Sequence, residues 1–351
     1  MYKIPVFNTD NKPLMPTNPA LARKLVKARR ATPFFKKGIY CIRLNYRTTE
    51  YTQPIVVGID PGSKKEGYTV KSNKYTFLNI QADAITWVKD SIKLRRVMRR
   101  QRRSRKTPCR KPRFYRNRNK VFLSPSVKSR WQWKLRILNW LSKLYPITHI
   151  IVEDIKATTK KYQSKWNKSF SPLEVGKNWF YSILKSTYKF FTTKQGYETK
   201  QLRDILNLKK SKNKLEKSFN AHCVDSWVLA NSVLTTTNSD DVNSSNSSNL
   251  SSTPDNIKVF YIEPLHYYRR QLHKTVPQKK GIRPTYGGTM SLGLKRGSLV
   301  KHKKYGITYV GGTSKGRISL HCLKTKKRLS QSIKVEDCKF LTYNNWLLNL
   351  D

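Results

Sequence analysis

The sequence predicts an α/β protein: a sheet with buried strands, preceded by a small unit of its own and followed by a β-rich one. Three observations carry this. Pro54–Asp60 is a continuous apolar run that closes on a carboxylate, Asp60. Pro146–Val152 reads as a second buried strand and is followed at once by another, Glu153. Unbroken apolar runs of this kind are what strands covered on both faces require. The third observation is that the residues after about 257 are rich in glycine and in short strand-like segments.

Taken in order, residues 1–53 form the first unit. Asn18-Pro19 is an N-cap followed by proline at the first helical position, which predicts a short helix running through Arg30. Leu21, Leu25 and Ala28 would make its apolar stripe, with Arg23, Lys24, Lys27 and Arg30 around it. Tyr40–Tyr46 alternates as a strand. After Pro54–Asp60, the segments Tyr68–Val70 and Tyr75–Ile80 flank Lys71–Lys74 as a hairpin. Leu135, Leu138, Leu141 and Tyr145 mark an amphipathic helix leading into the strand before Glu153. Further helices are expected over about 173–191 and 221–234. In Thr235–Asn256, sixteen of twenty-two residues are Ser, Thr or Asn and none is Lys or Arg, which predicts a disordered linker or insertion. Lys258–Ile262 resumes as a strand. Turns are expected at Gly287-Gly288, Gly297, Gly311-Gly312 and Gly316.

The composition narrows the function. The 351 residues hold 72 Lys and Arg against 20 Asp and Glu, a formal charge of +52. A charge this large drives a compact chain apart unless a polyanion neutralises it, so nucleic acid is the expected partner. No apolar run approaches the ~18 residues that span a bilayer, and residues 1–10 lack a signal peptide's apolar stretch. No membrane partner is expected. The five cysteines are scattered without a CxxC, which argues against a zinc ribbon or a disulfide framework and fits a reducing, intracellular compartment.

Between Ser91 and Val152 there is no acidic residue. Within that stretch, Arg95, Arg96, Arg99, Arg100, Arg102, Arg103 and Arg105 crowd a helical segment, and like charges at i,i+4 cost about 0.2–0.5 kcal/mol a pair. Such a helix needs an external anion, and guanidinium suits bidentate phosphate contacts. Phosphate contact fixes position and not sequence, so the segment indicates nucleic acid and nothing narrower.

The chemistry candidates are Asp60, Glu153 and the pair His222/Asp225. Two-metal phosphodiester hydrolysis needs several carboxylates converging on ions about 3.5–4 Å apart, and strand-end carboxylates plus one on a crossing helix can build that cluster. Each signal has a plainer reading beside it. Asp60-Pro61-Gly62 is also a common turn, although Gly62 would let a phosphate approach the backbone. Only one of Glu153 and Asp154 can face the site, and the pattern does not choose between them. His222 and Asp225 share a helix face but could be a cap and a surface residue.

Together these pieces resemble a known family. Gly58-Ile59-Asp60-Pro61-Gly62-Ser63, Ile150-Ile151-Val152-Glu153 and His222-Cys223-Val224-Asp225 are similar to the three split motifs of a RuvC nuclease, an RNase H-like fold. Pro13-Leu14-Met15-Pro16 resembles the signature of the PLMP domain that opens the transposon-encoded IscB family, and Arg99-Arg100-Gln101-Arg102-Arg103 resembles its RRXRR stretch and the bridge helix of the CRISPR effector nucleases. Pro172–Lys177 and Arg269–His273 also look familial. IscB carries an HNH nuclease between its second and third RuvC motifs. The interval 154–221 here has sixty-eight residues and no histidine, so no HNH site can exist there. The absence of paired cysteines argues against TnpB. What remains resembles IsrB, the HNH-less relative.

The resemblance implies a PLMP domain over 1–53, RuvC parts at 54–90 and 120–234, and an arginine-rich bridge helix at 91–119. The linker would occupy 235–256. The last RuvC strand and a β-domain contacting guide RNA and the target-adjacent motif would occupy 257–351. It implies an RNA-guided DNA nickase: a monomeric protein that binds a long structured guide RNA and double-stranded target DNA and cuts the displaced strand. Asp60, Glu153 and Asp225 would bind two Mg²⁺ ions, with Mn²⁺ able to substitute. His222 would act near the attacking water or leaving group, and Glu153 takes precedence over Asp154. Arg269 and Arg270 would contact nucleic acid. The expected location is cytoplasm and nucleoid, or an organelle. Two other readings share parts of this pattern. An unguided structure-specific RuvC-type DNA nuclease needs only the carboxylates. A non-catalytic guide-RNA-binding relic of a mobile element needs only the basic segments.

Overall fold

The computed structural model describes residues 3–36, 38–104, 123–157, 171–239, 253–266, 275–276, 281–282, 290–343 and 346–350. The chain divides into two compact units, one of residues 1–34, 40–262 and 349–351, the other of 35–39 and 263–348.

The chain opens with a four-stranded sheet of order β2-β1-β4-β3, from β1 (Ile4–Phe7), β2 (Pro13–Thr17), β3 (Ala31–Lys36) and β4 (Ile39–Leu44). Helix α1 (Pro19–Lys27) starts as expected: Asn18 is its N-cap, and its Oδ1 accepts the Leu21 N–H at 2.7 Å. It ends three residues short of Arg30, because Arg29 takes a left-handed φ of 55°. The apolar stripe is also displaced. Ala22, Leu25 and Val26 pack against Val6, Leu14 and Ile42, while Leu21 is exposed.

The main sheet has seven strands in the order β20-β10-β7-β6-β5-β8-β9. They are β5 (Val56–Asp60), β6 (Lys65–Lys71), β7 (Thr76–Asp83), β8 (His149–Asp154), β9 (Phe190–Gln195), β10 (Val259–Pro264) and β20 (Trp346–Leu350). Strands β5, β6 and β7 run antiparallel, and β8 and β9 continue parallel to β5. This antiparallel meander extended by parallel strands is an RNase H-like core. Every residue of β5 is buried, as a central strand covered on both faces must be.

Helices α3 (Pro125–Ser142), α4 (Pro172–Thr187), α5 (Gly196–Ile205) and α6 (Val224–Ser239) complete this core, and α2 (Val88–Arg103) carries the arginines. The two faces of β6 show how the sheet is covered. Thr69 Oγ1 lies 2.8 Å from Ser226 Oγ on α6. Glu66 points the other way, where it pairs with Lys134 on α3 at 2.6 Å and accepts the Tyr68 hydroxyl at 2.5 Å. Both members of the Glu66–Lys134 pair are buried. Trp131 on α3 stacks on Phe180 of α4 with ring centroids 4.9 Å apart.

Several expectations need correction. The helix expected over 173–191 stops at Thr187, and Phe190 and Phe191 open the edge strand β9 instead. Strand β9 and helix α5 carry no clear apolar period; α5 is defined locally by a capping box between Gln195 and Glu198. The helix expected from Ala221 begins as a π turn, Phe219–Cys223, in which the Val224 N–H reaches back to the Phe219 carbonyl. Helix α6 then runs to Ser239, five residues into the Ser/Asn tract, whose centre, 240–252, lies outside the described residues. The far end of the tract is tied down: Asp255 accepts the Thr76 N–H, and the Asn256 carbonyl accepts from Asn79 Nδ2 at 2.6 Å.

The second unit contains two short hairpins, β11 (Thr275–Val276) with β12 (Gly281–Ile282) and β13 (Met290–Ser291) with β14 (Leu294–Lys295). Its main body is a five-stranded antiparallel sheet of order β18-β17-β16-β15-β19. The strands are β15 (Ser298–His302), β16 (Gly306–Ser314), β17 (Arg317–Cys322), β18 (Arg328–Ile333) and β19 (Cys338–Tyr343). Val300, Val310, Ile318 and Leu320 form its core. Gly316 sits in a hairpin turn as expected, with φ 72°. Gly311-Gly312 is no turn. It is a bulge inside β16, where a Cβ on Gly311 would come within 2.2 Å of the His321 ring. Gly287-Gly288 lies outside the described residues.

Two predictions follow from the core of the first unit. A Cβ on Gly58 would sit 1.9 Å from the Ser226 carbonyl oxygen on α6, so Gly58→Ala should destabilise this unit by on the order of 3 kcal/mol in urea unfolding. Lys71 is buried; its Nζ donates to the Ser72 carbonyl and lies over the Trp227 ring. Burial lowers its pKa from 10.5 to about 8, against the opposing pull of Asp255. The unfolded chain keeps this proton up to about pH 10.5, so stability rises with pH from 8 to 10.5 and the burial cost is felt in full below 8. Lys71→Met should therefore be more stable than wild type at pH 7, by up to about 3 kcal/mol. That advantage should shrink as denaturation is repeated toward pH 10.

Candidate active site

Strand alternation decides which side chains meet. On β5, Val56 packs on Leu229 and Leu234 of α6 and Gly58 lies against Ser226, so Asp60 shares that face. Directly across from Asp60 in the antiparallel register is Gly67. A Cβ there would fall 2.3 Å from the His222 carbonyl oxygen, so glycine is what lets the π turn descend onto the sheet. On β8, Ile151 packs on α6, which puts Glu153 on the α6 face and Asp154 on the other. The π turn and first turn of α6 then deliver His222 and Asp225. Asp60, Glu153 and Asp225 each offer one oxygen, and these oxygens lie within 4.8 Å of one another.

His222 Nδ1 lies 2.8 Å from Asp60 Oδ2, and its Nε2 is 3.1 Å from the Lys214 carbonyl oxygen, so both ring nitrogens face acceptors. Asp225 is held on both oxygens: Arg203 Nη1 is 2.5 Å from Oδ1, and Lys210 Nζ contacts Oδ2. Lys210 also lies 3.8 Å from Asp60 Oδ2. Burial by itself would raise the Asp60 carboxyl, but the His222 hydrogen bond and the Lys210 charge outweigh it and hold it below the usual range. Glu153 goes the other way. Burial first, and then the charge of Asp60 and its hydrogen bond to it, push Glu153 up to about 8. An oxygen-only donor set with one carboxyl this reluctant to ionise fits a hard divalent cation, whose charge would relieve the crowding. Asp60, Glu153 and Asp225 are the residues that could hold it.

The site also explains Asp154. On the opposite face its Oδ1 is 2.9 Å from Lys177 Nζ and accepts the Tyr181 hydroxyl at 3.1 Å. Lys177 in turn pairs with Glu174 at 2.7 Å and donates to the Ile155 carbonyl, and Glu174 accepts the Ala157 N–H at 2.8 Å. The segment Pro172–Lys177 therefore braces the end of β8. Gly62 has a local reason as well: a Cβ there would sit 1.6 Å from the Lys65 carbonyl oxygen.

Arg95, Arg96, Arg99 and Arg100 project from α2 into solvent. Arg102 and Arg103 continue the helix backbone, and Arg105, Arg269 and Arg270 lie outside the described residues. None of the described arginines of α2 enters the acidic cluster, where Arg203 and Lys210 take that place. Neither stood out in the sequence, because one residue in five is basic. Among the described residues, no helix is long and apolar enough to cross a membrane.

Residues 4–170 match the model of a family described as RRXRR protein. The matched region, a little under half of the chain, includes Asp60, Glu153 and the Arg99–Arg103 stretch. No curated protein matches the chain. Among solved structures, it is similar to T. thermophilus RuvC in complex with a Holliday junction substrate, at 14% identity and a TM-score of 0.26 over 51% of this chain and 90% of that one. It is also similar to the yeast mitochondrial Holliday junction resolvase Ydc2, at 13% identity and a TM-score of 0.26 over 52% and 78%. At these values the functional reading rests on the geometry of the cluster itself.

The two faces of β8 make a direct comparison possible. Glu153→Gln should abolish Mn²⁺ binding measured by calorimetry. Asp154→Asn should retain it and instead lower unfolding stability by about 1–3 kcal/mol, since Lys177 and Tyr181 lose a charged partner.

Proposed function

We propose that this protein is a divalent-metal-dependent DNA endonuclease of the RuvC type, and more narrowly an RNA-guided nickase of the HNH-less IsrB kind. The observation that carries the nuclease reading is the convergence of Asp60, Glu153 and Asp225 on one face of the sheet beneath α6. Asp60 is backed by His222. Mg²⁺, two ions with Mn²⁺ able to substitute, would supply an activated water and charge stabilisation at the scissile phosphate. Asp60, Glu153 and Asp225 hold and orient that charge. His222 fixes the Asp60 carboxylate through Nδ1, and its Nε2 would have to leave the Lys214 carbonyl before it could exchange a proton with the substrate.

The guided reading is supported by the match to the RRXRR family, by the solvent-facing arginines of α2, and by a net charge of +52 that a long RNA would neutralise. In this reading the β-domain within 257–351 contacts the guide RNA and the target-adjacent motif, Arg269 and Arg270 included. The arginines of α2 brace the heteroduplex between guide and target strand, and the RuvC centre nicks the displaced strand.

The test is to express the chain with its flanking DNA and sequence the RNA that co-purifies. A discrete long species is expected, whose variable end names the DNA to nick. Asp60→Ala should then abolish nicking with RNA binding unchanged. Heterogeneous RNA together with cleavage of branched DNA would establish the unguided nuclease instead. A discrete RNA with no cleavage by the wild type would establish the non-catalytic relic.

A further inference from the structure

The acidic cluster carries its own counter-charge, and this has consequences for how it loads metal. Gathering three carboxyl groups with oxygens inside 4.8 Å of one another concentrates negative charge at a buried site. Two cations of the chain itself stand against these carboxylates. Arg203 takes Asp225 Oδ1, and Lys210 takes Asp225 Oδ2 while standing 3.8 Å from Asp60 Oδ2. The ammonium of Lys210 thus bridges two of the three carboxylates offered to a divalent ion. An oxygen facing an ammonium at contact distance is not free to ligate a metal, and the two cations repel each other.

The two basic residues differ in how they are mounted. Arg203 lies on helix α5 with 14% of its side chain exposed. Lys210 lies on the non-helical segment between Ile205 and Phe219, with 26% exposed. The backbone around it is anchored: Leu208 N–H bonds to the Arg203 carbonyl at 3.0 Å, and Ser211 N–H to the Asn220 carbonyl at 2.9 Å. Its neighbours Lys209, Lys212 and Lys214 are exposed, and Lys210 alone among them is turned toward the acids. A four-carbon stem on a fixed anchor, with an open side, can swing its charge outward without moving the fold.

We propose that Lys210 is a resident counter-ion that a divalent metal must displace, so that metal loading is coupled to the arrival of a phosphate that accepts the freed ammonium. This rests on the metal-dependent nuclease reading and adds a gate to it. Coupling of this kind is reciprocal: a polyanion that draws Lys210 away tightens metal binding, and bound metal tightens the polyanion.

The experiment uses the full chain in high-salt buffer and Mn²⁺ as the probe. In calorimetry, Lys210→Met should bind Mn²⁺ about tenfold more tightly than wild type, and Lys210→Arg should stay near wild type. A phosphorothioate single-stranded oligonucleotide should tighten Mn²⁺ binding to wild type and leave Lys210→Met unchanged. Independently of any variant, the acylation rate of Lys210 in the wild-type protein, read by mass spectrometry, should rise when Mn²⁺ is added while Lys209 and Lys212 stay constant. Unchanged or weaker Mn²⁺ binding in Lys210→Met, or Lys210 acylation indifferent to Mn²⁺, would overturn the gate and leave the metal site standing. Wild type failing to bind Mn²⁺, or Asp225→Asn binding it as well as wild type does, would remove both the gate and the nuclease reading.

Discussion

The arrangement of this protein depends on how closely one helix can sit on the sheet. Asp60 and Glu153 come from neighbouring parallel strands, so β-pairing alone brings them together. Asp225 and His222 come from a segment more than sixty residues later. They reach the same spot only because Gly58 and Gly67 leave the strand surface bare where α6 and the preceding π turn cross it. The Thr69–Ser226 contact and the buried Trp227 fix that seat. A π turn, which adds a residue to the helical repeat, is often found where a helix must re-aim a functional side chain, and here it carries His222.

Around this contact the two faces of the sheet do different electrical work. On the α6 face, carboxyl groups are gathered out of water, and burial first, then the charge of Asp60, hold the Glu153 carboxyl protonated well above its usual range. On the opposite face, charges are paired off: Asp154 with Lys177, and Glu66 with Lys134. Buried pairs of this kind contribute little net stability but are costly to break. They hold α3 and α4 in register with the strands whose ends carry the cluster. The reactive face is thus supported by a satisfied one.

The rest of the charge is of another kind. Arg95, Arg96, Arg99 and Arg100 of α2 face solvent, as do Leu94 and Val97, while Ile92 and Met98 are half-buried and α2 packs against α3. In the proposed function a polyanion would answer the repulsion along α2 and a cation the crowding in the acidic cluster. Within the chain itself, Arg203 and Lys210 stand against the Asp225 carboxylate.

The sequence by itself determined the strands that end in Asp60 and Glu153, the Lys71–Lys74 hairpin, the Asn18 cap and the β-rich end of the chain. Each of these is written in local periodicity or in a capping residue. It also named the three carboxylates and His222, because acidic residues at strand ends stand out in so basic a chain. Strand β9, helix α5 and the Gly311-Gly312 bulge came only with the tertiary structure, since an edge strand such as Phe190–Gln195 is half exposed and has no period to show. The motif resemblance ranked Glu153 ahead of Asp154, but which of them lies on the face of the acidic cluster came with the fold. Alternation says that one of the two must face the site, but only the helices packed on each side say which. The same holds for Lys210 and Arg203: in a chain where every fifth residue is basic, a single lysine acquires meaning only when folding brings it between two carboxylates.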